Sequence, residues 1–115
     1  MSVVLITGAS RGIGAATAQC FAAAGHHLLL VARPSAELDQ LANGLRSQTC
    51  RVETAGIDLA DPTSIEPGLH ELCSRGLEPT MVVNNAGAAW TGPLAEMPLA
   101  QWQWLLQLNL TSVFQ

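Results

Sequence analysis

Val3-Val-Leu-Ile-Thr-Gly-Ala-Ser-Arg-Gly-Ile-Gly-Ala15 decides how this chain folds. Val3 to Ile6 is a short, largely β-branched run that reads as a buried strand. Gly8, Gly12 and Gly14 follow, and beyond them lies an Ala-rich segment with helical periodicity. Strand, glycine turn and helix together make a seat for a pyrophosphate. Glycines let the backbone turn sharply and approach phosphates closely, and the helix start supplies unpaired N–H groups and a positive dipole end. The spacing is G-x-x-x-G-x-G, not the commoner G-x-G-x-x-G. The loop, with Ala9, Ser10, Arg11 and Ile13 between its glycines, therefore has its own geometry.

Working outward, Ile13, Ala16, Thr17, Cys20, Phe21 and Ala24 recur at helical spacing and predict the face that packs on the sheet, with Gly25 as C-cap. His26 and His27 follow without a neighbouring carboxylate and read as surface residues, not ligands. Leu28 to Ala32 is a second apolar run without alternation, as expected of a strand covered on both faces. Strand, helix and strand within about 30 residues form a βαβ unit with a right-handed crossover. The end of this second strand bears on cofactor choice. Where NAD is preferred, an acidic residue about 20 positions after the glycines accepts hydrogen bonds from the ribose 2′-hydroxyl. Here the segment is Val31-Ala32-Arg33-Pro34, with no acid. Arg33, joined by Arg11 from the glycine loop, can instead pair with a 2′-phosphate. The expected cofactor is NADP(H) in preference to NAD(H).

Ser35 can cap the next helix, which has Glu37 and Asp39 in its first turn and a stripe of Leu38, Leu41, Ala42 and Leu45. Val52 to Ile57 is the third strand, and Asp58-Leu59 lies at its end. Asp61 to Arg75 reads as a helix with Ile65, Leu69, Leu72 and Cys73 on one face and His70 facing solvent. Pro67 would break an interior turn, so the regular part is expected to start near Thr63 or Ser64. Thr80 to Val83 is the fourth strand, and Asn84-Asn85-Ala86-Gly87 follows at the carboxyl edge, where open α/β sheets bind ligands. Residues 88–98 read as loop. From Leu99 a last helix carries Leu99, Trp102, Leu106, Leu110 and Val113 on one apolar stripe, with Asn109 on or beside it. A buried Asn needs hydrogen-bond partners. Trp102 and Trp104 read as packing or interface residues, not as a cofactor box.

Thr7-Gly-x-x-x-Gly-x-Gly14, Asp58-Leu59, Asn84-Asn85-Ala86-Gly87, and Asn109 in Leu108-Asn-Leu-Thr-Ser-Val-Phe114 follow one another at compatible spacing. In this the chain resembles the short-chain dehydrogenases/reductases along its whole length. The resemblance implies a Rossmann-type doubly wound parallel sheet, here of about four strands in the order 3-2-1-4. Residues 1–115 would form an NAD(P)-binding domain incomplete at its C-terminus. It implies cofactor contacts at Gly8, Ala9, Ser10, Arg11, Gly12, Ile13 and Gly14. It extends them to Arg33, to Asp58 and Leu59 beside the adenine, and to Asn85, Ala86 and Gly87, with Asn85 against the nicotinamide-side ribose. Asn84 would mainly tie the strand ends together, while Ala86 and Gly87 leave room for the cofactor. Asn109 would belong to a catalytic tetrad that also needs a Ser, a Tyr and a Lys, the last two as Y-x-x-x-K after a fifth strand. The chemistry implied is hydride transfer between nicotinamide and a small-molecule alcohol or carbonyl, in a homodimer or homotetramer.

The 115 residues contain no Tyr, and all five basic residues are Arg (11, 33, 46, 51 and 75), so Lys is absent too. Three readings follow. The first takes the chain as the cofactor-binding N-terminal half of an NADP(H)-dependent oxidoreductase about twice as long. The second takes it as a natural truncation that binds NADP(H) or a partner without catalysis. The third is a degenerate interaction module. An apolar fraction of 49% with 12% charged residues suits a packed core. A net charge of −4 without a basic cluster argues against a nucleic-acid surface. No apolar run approaches the roughly 18 residues of a membrane span. Three cysteines without a C-x-x-C pair suit reduced thiols in the cytoplasm, and no metal site is expected.

Overall fold

The apolar runs of β1 (Val3–Thr7) and β2 (His27–Ala32) do not alternate because both faces of their sheet are covered. In a strand, successive side chains point to opposite faces. Val4, Ile6, Leu28, Leu30, Ala32 and Val52 pack on one side, with Ala18 of α1 (Gly12–Ala23) and Leu38 and Ala42 of α2 (Ala36–Leu45). Leu5, Leu29, Val31 and Ala55 pack on the other, with Ile65 and Leu72 of α3 (Pro62–Cys73). This computed structural model describes residues 2–47 and 50–115.

β3 (Val52–Gly56) and β4 (Met81–Val83) complete a four-stranded parallel sheet in the expected order β3-β2-β1-β4. The register sets Thr7 beside Val31 and Val31 beside Ala55, so the carboxyl ends of the first three strands lie together. After β4 come a 3-10 turn (Leu94–Glu96) and α4 (Leu99–Leu106). The helix continues through a π-helical turn (Gln107–Thr111) into α5 (Ser112–Phe114).

Two expectations need correcting. The inward face of α1 is Gly14 and Ala18, with Phe21 and Ala22 partly buried, while Ile13 is 78% exposed and Ala16, Cys20 and Ala24 also face outward. In an Ala-rich helix the apolar period says little about orientation. The bare backbone of Gly14 decides it, because that residue must lie against Gly8. In α3, regular structure begins at Pro62 under an Asp61 cap, so Pro67 sits inside the helix and not in its first turn. Pro is well tolerated at a first helical position, which favours the earlier start. The missing bond falls where Thr63 and Pro67 are exposed, so water can solvate the freed carbonyl.

The last helix turns its apolar stripe outward. Its stripe of Leu99, Trp102, Leu106, Leu110 and Val113 is exposed, and no residue of α4 or α5 is buried. The side turned to the sheet holds Leu105, Leu108 and Ser112, and Leu108 reaches the core. Between this helix, α3 and the β1–β4 face lies an apolar hollow of about 280 Å³ lined by Leu5, Leu69, Val82 and Phe114.

The two edges of the sheet differ. On the β3 side, Arg75 pairs with Glu71 at 2.6 Å and Glu53 at 3.4 Å and donates to the Thr54 carbonyl at 2.8 Å. Charged residues of this kind blunt an edge strand. On the β4 side, Val82 is 56% exposed and Met81 also faces out. At the opposite end of the strands from the glycine loop, His27 Nδ1 accepts from the Arg51 N–H at 2.9 Å, and His26 packs edge-on to Phe21. His27 thus serves a backbone hydrogen bond and His26 a ring contact. Cys20, Cys50 and Cys73 are free, and burial pushes the Cys50 thiol pKa up.

Asp61 accepts from both the hydroxyl and the backbone N–H of Thr63, at 2.7 and 3.0 Å, and these bonds hold its pKa below the ordinary 3.8. A depressed carboxyl stabilises the fold fully above its unfolded pKa, and that contribution is lost as pH falls through the folded value. An Asp61→Asn variant, which keeps an acceptor but does not titrate, should show a shallower loss of melting temperature below that pH range than the unmutated protein. Parallel acid limbs in calorimetry would refute the cap's role.

Candidate functional site

Gly8 has a φ of 64°, and a Cβ there would lie 2.9 Å from the Ala86 Cα and from Asn85 Nδ2. A Cβ at Gly14 would overlap the Gly8 carbonyl oxygen. Two of the three glycines are therefore demanded by the protein's own packing. Gly12 differs: its φ is 60° and nothing lies within 4 Å of where its Cβ would be. Its bare backbone faces open space, as a seat for an approaching group requires.

The helix behind it is open as well. α2 and α3 carry side-chain caps, Ser35 accepting from the Leu38 N–H at 3.1 Å and Asp61 from Thr63. α1 has Arg11 at its N-cap, which offers no acceptor, and no acid in its first turn. Its first N–H groups and positive dipole end therefore meet no side-chain cap, the arrangement that favours an anion.

A second tie joins β1 to the segment after β4. The hydroxyl of Thr7, the buried polar residue at the end of β1, accepts from the N–H groups of Asn85 and Ala86 at 3.1 and 3.0 Å. The Asn85 amide donates to the Thr7 and Gly8 carbonyls, both at 3.2 Å. The strand ends are thus tied by Asn85, not by the exposed Asn84, because Asn85 turns toward β1. Thr7 was not singled out from the sequence. A hydroxyl residue closing an apolar strand just before Gly8 is the signal that could have found it.

Above these ties lies a cleft of about 590 Å³ along the carboxyl ends of the strands. Nine expected site residues line it: Gly8, Ser10, Arg11, Arg33, Asp58, Leu59, Asn85, Ala86 and Gly87. Ala9 and Gly14 lie beneath it instead. Ala9 is fully buried with its N–H on the Val31 carbonyl, and Gly14 rests on Gly8. Asp58 combines two roles, since one carboxylate oxygen closes a turn on the Ala60 N–H at 3.0 Å while the residue lines the cleft. Glu37, read as a helix-start acid, also lines it, and so does Trp104, read as a packing or interface residue. Their place in the cleft comes from tertiary placement, because neither sits in a recognisable motif, and Glu37 is still the first-turn acid of α2.

Asn109, expected on or beside the apolar stripe, is exposed and bonded to backbone. Its Oδ1 accepts from the Ala88 N–H at 3.1 Å, and its Nδ2 donates to the carbonyls of Ala88 at 2.9 Å and Leu105 at 3.0 Å. A π-helical turn shifts the backbone ladder, and here the Asn109 amide takes the Leu105 carbonyl four residues back. Gly87 makes room for this side chain, since a Cβ there would stand 2.7 Å from Asn109 Oδ1. The space at Gly87 thus belongs to Asn109 before it belongs to any ligand. Both donors of the amide are spent on backbone, so its direct role in this chain is to clamp the last helix to residue 88.

A model of the family described as short chain dehydrogenase matches residues 2–115. Sulfoacetaldehyde reductase 2 of Chromohalobacter salexigens is 38% identical over 109 residues, which are 94% of this chain and 43% of that protein. The L-sorbose reductase of Gluconobacter frateurii, solved with NADPH and L-sorbose, superposes with a TM-score of 0.90 at 32% identity, covering 98% of this chain and 43% of its own. The alcohol dehydrogenase of Thermococcus sibiricus, complexed with 5-hydroxy-NADP, superposes at 0.91 with 32% identity, covering 99% and 49%. The chain thus spans less than half the length of these relatives.

The glycines should separate in stability. Gly14→Ala drives a methyl into a backbone oxygen and should cost about 3 kcal/mol, the upper range for overpacking. Gly12→Ala meets open space and should cost only about 1–2 kcal/mol for its left-handed backbone. Urea unfolding of the two variants checks the order, and equal losses would contradict the packing described.

Proposed function

The chain belongs to the short-chain dehydrogenase family, and from that premise we propose that residues 1–115 are the cofactor-binding part of an NADP(H)-dependent oxidoreductase. The observation that carries this reading is the cleft that unites Arg11 and Arg33 with the glycine loop and Asp58-Leu59. The uncapped start of α1 and the bare backbone at Gly12 bind the pyrophosphate. Arg11 and Arg33 bind the 2′-phosphate, and the fixed fork of a guanidinium suits that group. Asp58 accepts from the adenine amine, and Leu59 packs beside the base. When bound, the cofactor supplies or accepts a hydride at a substrate carbon.

These 115 residues hold no Tyr or Lys, so the groups that move the hydroxyl proton come from outside them. Asn109 fixes the last helix so that its backbone can support such a relay. The substrate is a small carbonyl compound or alcohol, consistent with the reductases and dehydrogenases that the chain resembles. The exposed stripe of Leu99, Trp102, Leu106, Leu110 and Val113 supports assembly as a dimer or tetramer, and free cysteines suit a cytoplasmic setting. Among the described residues no helix is long and apolar enough to cross a membrane.

The intact mass of the native gene product is the first test. A mass near twice 12.1 kDa, with Y-x-x-x-K downstream, is expected. A mass of 12.1 kDa would leave NADP(H) binding without catalysis in the family's manner. Cofactor choice has its own test. Arg33→Asp should weaken NADPH binding about 10- to 100-fold, the equivalent of a charge-assisted hydrogen bond of about 1.5–3 kcal/mol, with little change for NADH. Titration calorimetry with both cofactors decides it, and comparable NADPH and NADH affinities before mutation would sink the assignment.

A further inference from the structure

Trp104 is the one aromatic residue among the described residues that line the cleft. It is 38% exposed, so part of its indole is covered and part stays open. It does not share the apolar stripe of Trp102 and Leu106. Two residues past Trp102 on a helix is a turn of about 200°, which sets Trp104 on the opposite side. Leu108, one turn on, faces the same cleft. The helix that carries it is anchored. Gln107 Nε2 donates to the Leu59 carbonyl at 3.2 Å, and the Asn109 amide bonds both the N–H and the carbonyl of Ala88. The indole is therefore carried on a helix fastened to the residue that follows Asp58.

We propose that Trp104 forms the aromatic wall of the cleft's adenine end, stacking on the purine of the bound dinucleotide opposite the Ile57–Leu59 side. The inference rests on the dinucleotide reading of the cleft and adds to it a residue that sets affinity for the base. A flat π-face suits a planar purine, and its large apolar area is otherwise left half in water. Leu59 and Leu108 supply apolar flanks, while Asp58 stands at the rim to accept the amine. Arg11 and Arg33, which line the same cleft, serve the phosphate. Affinity for the base and affinity for the 2′-phosphate thus come from different residues.

The test uses 2′,5′-ADP, which carries the adenine half alone, and nicotinamide mononucleotide, which carries the other half, on the full gene product. Trp104→Ala should weaken 2′,5′-ADP about ten-fold or more, as expected for loss of one base–aromatic stack, and leave the mononucleotide within about two-fold. Trp104→Phe should retain most of the affinity and guards against a folding artefact. In the unmutated protein 2′,5′-ADP should quench indole emission by contact, and Trp104→Phe should abolish that quenching although Trp90 and Trp102 remain. If the unmutated protein binds 2′,5′-ADP and Trp104→Ala binds it equally well, the stacking is overturned while the cofactor reading stands. If Trp104→Ala weakens both halves alike, the adenine placement is overturned. If the unmutated protein binds no 2′,5′-ADP, the cofactor reading and the stacking both fall.

Discussion

The contact of Gly14 with the Gly8 carbonyl is the constraint on which the ligand edge depends. It admits no side chain on Gly14, while Ala86 and Asn85 keep Gly8 bare, and it sets the rotation of α1 against the sheet. With that rotation, Ala18 enters the core and Ile13 turns outward. Thr7 and Asn85 lock the neighbouring strand end to the same spot. Removing side chains at two positions brings three backbone segments together. Hydrogen bonds from a single buried hydroxyl and one amide then hold them.

The two halves of the molecule differ in how fully their apolar surface is covered. Around β1, β2 and β3 both faces of the sheet are packed and the β3 edge carries ion pairs. Around β4 the strand is short and exposed, the last helix buries no residue, and an apolar hollow opens beneath it. The last helix is held chiefly by polar contacts: Gln107 to Leu59, Asn109 to Ala88, and Gln115 to Pro62. Such contacts give direction more than energy. They orient Trp104 and Leu108 toward the cleft while leaving the opposite stripe exposed.

Much of this was legible from local pattern. The unalternating run of Leu28 to Ala32 specified a strand covered on both faces, and the Ser35 cap lies where it is expected, while the strand order is the one that the family resemblance implies. The errors fall where pattern carries little weight. In α1, alanines on every side make the apolar period nearly blind to rotation. In α3, a Pro inside a helix was read as a boundary because local rules could not weigh the cap at Asp61 and Pro62 against one lost bond. In the last helix, an amphipathic stripe specifies that an apolar face exists but not what covers it.

By itself, then, the sequence determined the βαβ framework, the glycine turn and the pair of arginines at the cleft, since each rests on short-range chemistry readable within a few residues. Only the tertiary structure decided which glycine faces open space, which of Asn84 and Asn85 ties the strands, and which tryptophan faces the cleft. These depend on how helices rotate and dock against a sheet. That rotation is fixed by contacts between residues as far apart in the chain as Thr7 and Ala86, or Leu59 and Gln107.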